Sequence, residues 1–217
     1  MTSTSARALC LDKTPARQRQ KALTTLQQLD DPAQLALLLA HERKKSADSF
    51  FHPYINSLPL APPCAWAMPP SELSSSLAQL KQQGMQADGW AAEIAGHRAC
   101  MVQLAEASVR AFGSALGVDD ADVFWALGQV MSRSYGRSPD LGLAPYIDLL
   151  NHKHGAGKPS GEEIDGEGFA CLSPCSQGEP CVMEEGQELY VSYISSQCPA
   201  LRAFNNFGFV PPELRAL

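Results

Sequence analysis

The chain has 217 residues, of which 45% are hydrophobic, 18% charged and 7% aromatic. That composition suits one globular domain, or one domain with a large insertion, and excludes a disordered or collagen-like polypeptide. With 17 basic against 23 acidic residues the formal charge is −6, which speaks against nucleic-acid binding along a general basic surface.

The longest strongly apolar run without proline, Leu35–Ala40, falls far short of the ~20 residues that span a bilayer, so no membrane partner is expected. Charge is unevenly spread: residues 1–45 carry eight Lys/Arg and four Asp/Glu, whereas residues 139–217 carry four and eleven. The acidic C-terminal part suits a cationic ligand or a basic peptide. Seven irregularly spaced cysteines, with no apolar signal-peptide core, point to a reduced intracellular compartment and free thiols. The first 23 residues are rich in Ser, Thr, Ala and Arg, with Asp12 as their single acid. They faintly resemble an organelle transit peptide, so cytoplasm and chloroplast both stay open.

In chain order, Ala22, Leu23, Leu26 and Leu29 fall on one helical face, and Asp31–Pro32 reads as an N-cap and first position opening a second short helix through Leu39. Pro53, Pro59, Pro62, Pro63, Pro69 and Pro70 then forbid helix interiors, predicting an ordered, extended connection over residues 50–70. Three helices follow. Leu73, Leu77 and Leu80 mark the first, Ile94, Met101, Ala105, Val109 and Phe112 the second. Val123, Phe124, Leu127, Val130 and Met131 mark the third, behind an Asp119/Asp120 cap. After Arg137 the helical period stops, and short strands are expected at Gly168–Leu172, Cys181–Met183 and Leu189–Tyr193, the last behind a turn at Glu185–Gly186.

The run Ala144-Pro145-Tyr146-Ile147-Asp148-Leu149-Leu150-Asn151-His152 packs a carboxylate, an amide and an imidazole close behind a rigid proline. By spacing alone it is either an Asx-type turn bonded to its own backbone or a ligand site. His152 and His154 with Cys171, Cys175, Cys181 and Cys198 lack the paired knuckles of zinc sites, so no metal is expected. Gly155-Ala156-Gly157-Lys158 lacks the spacing of a phosphate loop, and no nucleophile elbow GxSxG occurs.

Several blocks in order bring a family into view. Glu42-Arg43, leading to Ser49-Phe50-Phe51-His52-Pro53-Tyr54-Ile55-Asn56-Ser57-Leu58-Pro59, resembles the segment before the helical insertion of SET-domain methyltransferases of the Rubisco large-subunit lysine methyltransferase type. Ser132-Arg133-Ser134-Tyr135 resembles their Ser-Arg-aromatic segment, and Pro145 to His152 their P-x-x-D-x-x-N-H signature. Gly186-Gln187-Glu188-Leu189-Tyr190-Val191-Ser192-Tyr193 is similar to their catalytic-tyrosine strand, and Phe207-Gly208-Phe209-Val210 to their closing segment.

The resemblance implies an α+β fold: a small β-rich SET-like core with a helical insertion. It divides the chain into a partial N-terminal SET segment with the extended connection (1–70), the helical insertion (71–134) and the C-terminal SET core (135–217). In such a core the Asn-His strand and the tyrosine segment approach each other. It further implies an S-adenosyl-L-methionine-dependent protein-lysine N-methyltransferase acting as a monomer on a lysine-bearing protein substrate. Arg133, Asp148, Asn151, His152 and Tyr193 would contact the cofactor, Tyr193 would be the catalytic tyrosine, and Tyr146 and Phe207 would line the substrate side.

The chain departs from that pattern where residues 1–41 hold no glycine for the family's cofactor loop. It also stops at Leu217, before the helical domain that docks protein substrates. It is therefore expected to be truncated at both ends, and a non-catalytic SET-like interaction module is the alternative. Phe207 replaces a tyrosine common in relatives, a change that bears on how many methyl groups are added, or on whether the target is lysine or another nucleophile such as histidine.

Overall fold

A computed structural model describes residues 1–136, 141–156, 184–194 and 197–215, together with the backbone of the strands at 159–164 and 167–172. Eight α-helices and six short strands are defined among the described residues. Helix α1 (Ser3–Lys13) opens the chain. The sequence gives it no apolar period, but Ala6 and Cys10 at helical spacing are both buried and are its contribution to the core. Helix α2 (Arg19–Gln28) buries Ala22 and Leu26.

Helix α3 runs from Asp31 to Lys45. The cap is Asp30, whose side chain accepts from the Ala33 amide at 2.9 Å, so Asp31 lies inside the first turn and the helix extends well past Leu39. Leu35, Leu37 and Leu39 are all fully buried: the helix is apolar on every side because other helices surround it. Its one buried amide, Gln34, is satisfied through Nε2 donation to the carbonyls of Leu26 at 3.0 Å and Leu29 at 2.7 Å. Arg7 of α1 donates to the Gln34 oxygen and to Asp31, fastening α1 onto α3.

The proline-rich connection is not wholly extended. Pro53 sits in the first turn of helix α4 (His52–Ser57), where a missing N–H costs nothing, and Ala65–Ala67 makes one 3₁₀ turn. The segment is held through its carbonyls, because prolines offer no N–H. Trp125 Nε1 and Gln129 Nε2 both donate to Pro59 O, at 3.2 and 2.8 Å. Arg98 donates to Trp66 O at 2.8 Å.

Helices α5 (Pro70–Gln82), α6 (Trp90–Leu116) and α7 (Asp120–Arg133) occupy the positions expected from the apolar spacing. Asp119 caps α7 in a reciprocal box: it accepts from the Asp122 amide, and the Asp122 carboxylate accepts from the Asp119 amide, each at 3.0 Å. Helix α8 (Ala200–Phe207) closes on the last turns of the chain.

Sheet is sparse: the described residues are mostly helical and carry three two-stranded ladders, which suits an α+β fold but shows no β-rich core among them. Strands β1 (Ser134–Tyr135) and β2 (Gly142–Leu143) pair antiparallel, and the start of the chain adds to β2 by a bridge from Thr2 to Gly142. Strands β3 (Asn151–His152) and β6 (Tyr190–Val191) pair in parallel. Strands β4 (Pro159–Ile164) and β5 (Glu167–Leu172) form a hairpin, which covers the strand expected at Gly168–Leu172. The strand expected at Cys181–Met183 lies outside the described residues. Of the run Leu189–Tyr193 only two residues are ladder, behind the expected turn, where Gly186 has φ +83°. One core cluster runs from Ala6 to Leu214 and joins the eight helices to Leu143 of β2 and to Ile194.

Candidate active site

The segment from Tyr146 to His152 is built around a 3₁₀ turn at Ile147–Leu149 that ends in β3. Its carbonyls are held one after another by side chains from distant elements. Tyr135 of β1 makes a long contact of 3.5 Å from its hydroxyl to Ile147 O. Arg133, at the end of α7, donates from Nη1 to Asp148 O at 2.8 Å. The Tyr193 hydroxyl donates to Leu150 O. Gln129, one turn before Arg133, accepts from its Nε at 3.3 Å and so sets the direction of the guanidinium.

The Asp148 carboxylate faces inward and is 3% exposed. Tyr54 of α4 donates its hydroxyl proton to Oδ2, while the buried Oδ1 has no partner among the described residues. Burial pushes the Asp148 carboxyl up to about 6, against the hydrogen bond from Tyr54 and the charge of Arg133, which both favour the ionised form. Burial likewise raises Tyr54, reinforced by the Asp148 charge, and raises Tyr135. Tyr193 is raised too, chiefly by burial. At neutral pH these phenols are therefore hydroxyl donors, not bases.

The parallel pairing of β3 with β6 sets His152 opposite Val191 and brings Tyr193 beside the imidazole. The Tyr193 amide donates to His152 Nδ1 at 3.1 Å, and Nε2 of the same ring lies 3.0 Å from Glu213 Oε1. An aromatic cluster surrounds this junction, with Tyr193 5.4 Å from His152 and 5.2 Å from Phe207 between ring centroids. Phe209 lies 6.0 Å from His152.

Of the residues singled out from the sequence, Arg133, Asp148, His152, Tyr193 and Phe207 are thus gathered around one segment. Asn151 and Tyr146 belong to that segment, but their side chains turn away from the cluster. The Asn151 side chain is exposed and donates to Glu188 Oε1 at 2.8 Å, alongside the Tyr190 hydroxyl, which holds Oε2 at 2.6 Å. Tyr146 is 76% exposed and adopts φ +74°, the left-handed region, which turns its ring to solvent.

Three participants carried no role in the sequence. Tyr54 stands inside a block that carried the family resemblance, but nothing in its spacing announces a buried carboxylate partner. Phe209 was visible as an aromatic of the closing segment. Glu213 had no signal at all. Among the described residues no three His, Cys, Asp or Glu side chains converge as metal ligands, and Cys175, Cys181 and Lys158 lie outside the described residues. The 440 Å³ cleft lined by Lys21, Arg110 and Phe112 shares no residue with the aromatic cluster.

No family model and no curated protein sequence matches the chain. Solved structures do. Rubisco LSMT bound to sinefungin and monomethyllysine aligns over 87% of this chain and 41% of its own, at 20% identity and a TM-score of 0.61. The SET domain of LSMT bound to lysine and AdoHcy aligns over 85% and 42%, with 20% identity and a TM-score of 0.66. Rubisco LSMT bound to AdoMet gives 85%, 40%, 20% and 0.61 in the same order. The chain spans about two fifths of the length of these proteins, and over that span it has the fold of the Rubisco LSMT SET domain.

Proposed function

We propose that the chain is the SET portion of an S-adenosyl-L-methionine-dependent protein-lysine N-methyltransferase. The observation that carries this reading is the strip from Ile147 to His152, bonded from Arg133, Tyr135 and Tyr193 within a fold whose solved examples hold AdoMet, AdoHcy and lysine. The helices of 71–134 are then an insertion between the N-terminal segment and the core.

The residues present fit such a cofactor. Asp148 Oδ1 is a buried acceptor with no partner among the described residues, and His152, Tyr193, Phe207 and Phe209 form an aromatic wall of the kind that attracts a sulfonium cation. Arg133, Asp148 and His152 would hold the cofactor, with Asn151 contributing through its backbone. When bound, the cofactor supplies an electrophilic methyl group.

The protein's share of the chemistry is to present a neutral, aligned amine. Deprotonating a free lysine at pH 7 costs roughly 4–5 kcal/mol, and a narrow, desolvated aromatic channel lowers that cost by disfavouring the ammonium. Because the Tyr193 proton is given to Leu150 O, the lone pairs of its oxygen face outward as acceptors. They can orient an amine N–H and hold its lone pair in line. Phe207, against the Tyr193 ring, leaves that wall without a second hydroxyl.

Isothermal titration with S-adenosylmethionine, followed by transfer of labelled methyl to lysine-bearing protein, tests the reading. Tyr193→Phe is expected to lower kcat by about 100-fold or more while cofactor affinity changes less than about threefold. A second reading, a SET-like interaction module without catalysis, is favoured by one observation: Asn151 is exposed and engaged by Glu188, outside the cluster. Folded protein that binds no cofactor would establish that second reading over the first.

A further inference from the structure

His152 is bonded from both sides, and the two bonds together fix where its proton is. The partner of Nδ1 is the backbone amide of Tyr193 at 3.1 Å. An amide can only donate, so Nδ1 must be the bare, accepting nitrogen. The neutral ring then carries its proton on Nε2, which points at Glu213 Oε1 at 3.0 Å. A doubly protonated ring would set two donors against each other at Nδ1.

Glu213 belongs to a different element, the 3₁₀ turn Pro212–Leu214. This turn is anchored by Leu214, 2% exposed, and by the Arg215 side chain donating to Val210 O at 2.9 Å. The carboxylate is held below the ordinary range: burial works to raise it, but its own backbone amide and the hydrogen bond from His152 outweigh that. His154 approaches the same oxygen at 3.4 Å but is 57% exposed, so the buried His152 ring, 6% exposed, makes the directed contact.

Building on the proposed function, we infer that Glu213 is a positioning residue: it fixes His152 as the Nε2–H tautomer and thereby holds the Tyr193 backbone in register. The chain of bonds is Glu213 Oε1 to His152 Nε2–H, then His152 Nδ1 to Tyr193 N–H, with the Tyr193 hydroxyl set on Leu150 O. Without the carboxylate, the imidazole is free to place its proton on Nδ1, and the Tyr193 amide then loses its acceptor. Glu213 acts through His152 and Tyr193 rather than on the reacting atoms.

Nitrogen-15 spectra of the His152 ring read the tautomer without any turnover. The full chain is expected to show the Nε2–H form. Glu213→Gln keeps an accepting oxygen and is expected to keep that form. Glu213→Ala is expected to yield a mixture of tautomers and to lower kcat about tenfold, with KM for S-adenosylmethionine changed less than about twofold, the scale of one lost bond to a charged group.

If Glu213→Ala fails to fold, Glu213→Asp withdraws the oxygen by one methylene and is expected to give the same change of tautomer. An Nδ1–H ring in the wild type would overturn the inference, as would an unchanged tautomer and unchanged kcat in the alanine or aspartate variant. If the wild type transfers no methyl while the tautomer still follows residue 213, the functional reading fails and the positioning role stands.

Discussion

At the scale of single residues, electrostatic tension is stored at Asp148. Its carboxyl is 3% exposed and titrates near pH 6 in the folded chain, against about 3.9 for an unperturbed aspartate. Between those two values the native state binds more protons than the unfolded one, so this group makes stability fall as pH rises through about 4 to 6. Above that window the full penalty applies, about 3 kcal/mol by the size of the shift. Asp148→Asn keeps an oxygen for the Tyr54 hydroxyl and removes the charge. Relative to wild type, the variant is expected to be about 2–3 kcal/mol more favoured at pH 7.5 than at pH 4 in urea unfolding. An equal difference at both pH values would show that the carboxyl titrates normally. That stored cost fits a site residue: Asp148 was legible in the sequence as part of a P-x-x-D-x-x-N-H run, whereas its donor Tyr54, 94 positions away, was legible only as part of a block. Spacing reveals local polar clusters, but it carries no information about which distant hydroxyl will meet a buried acid.

At the scale of elements, the apolar periods located α5, α6 and α7 because each buries one face. They missed α1, whose few small buried side chains make no stripe. Short ladders were also poorly legible: β3 and β6 are two residues each, and their partner is chosen by the fold, not by alternation. The end of α8 shows how an element depends on its surroundings. Gly208 takes φ +75°, and a Cβ there would stand 2.1 Å from Pro63 O, so it ends the helix and lets the proline-rich connection lie directly against it. Gly208→Ala is expected to cost about 2–4 kcal/mol, through left-handed strain added to a backbone clash. Chemical denaturation monitored by circular dichroism would measure it. A loss below about 0.5 kcal/mol would mean that the Pro63 segment is free to move away.

At the scale of the whole molecule, a single core cluster links α1, α3, α6, α7 and α8 to the site segments. Leu37, fully buried in α3, lies within it. Leu37→Ala is expected to cost about 2–5 kcal/mol, and the shift in unfolding midpoint should coincide by far-UV circular dichroism and tryptophan fluorescence. Separate transitions would mean that helical structure and the packing around Trp66, Trp90 and Trp125 are lost in separate steps. Among the described residues no helix is long and apolar enough to cross a membrane.

The sequence by itself determined the helical middle, the proline-rich connection and the residue types at the site, because apolar period, missing N–H groups and close-set polar side chains are local properties of a chain. Only the tertiary structure decided that Tyr54 would meet Asp148, that Glu213 would meet His152, and that Asn151 and Tyr146 would face outward. Those outcomes depend on which strand pairs with which and on how the last turns close over the core. These are long-range choices, made by burial of the whole and by the demand that each buried polar atom find a partner.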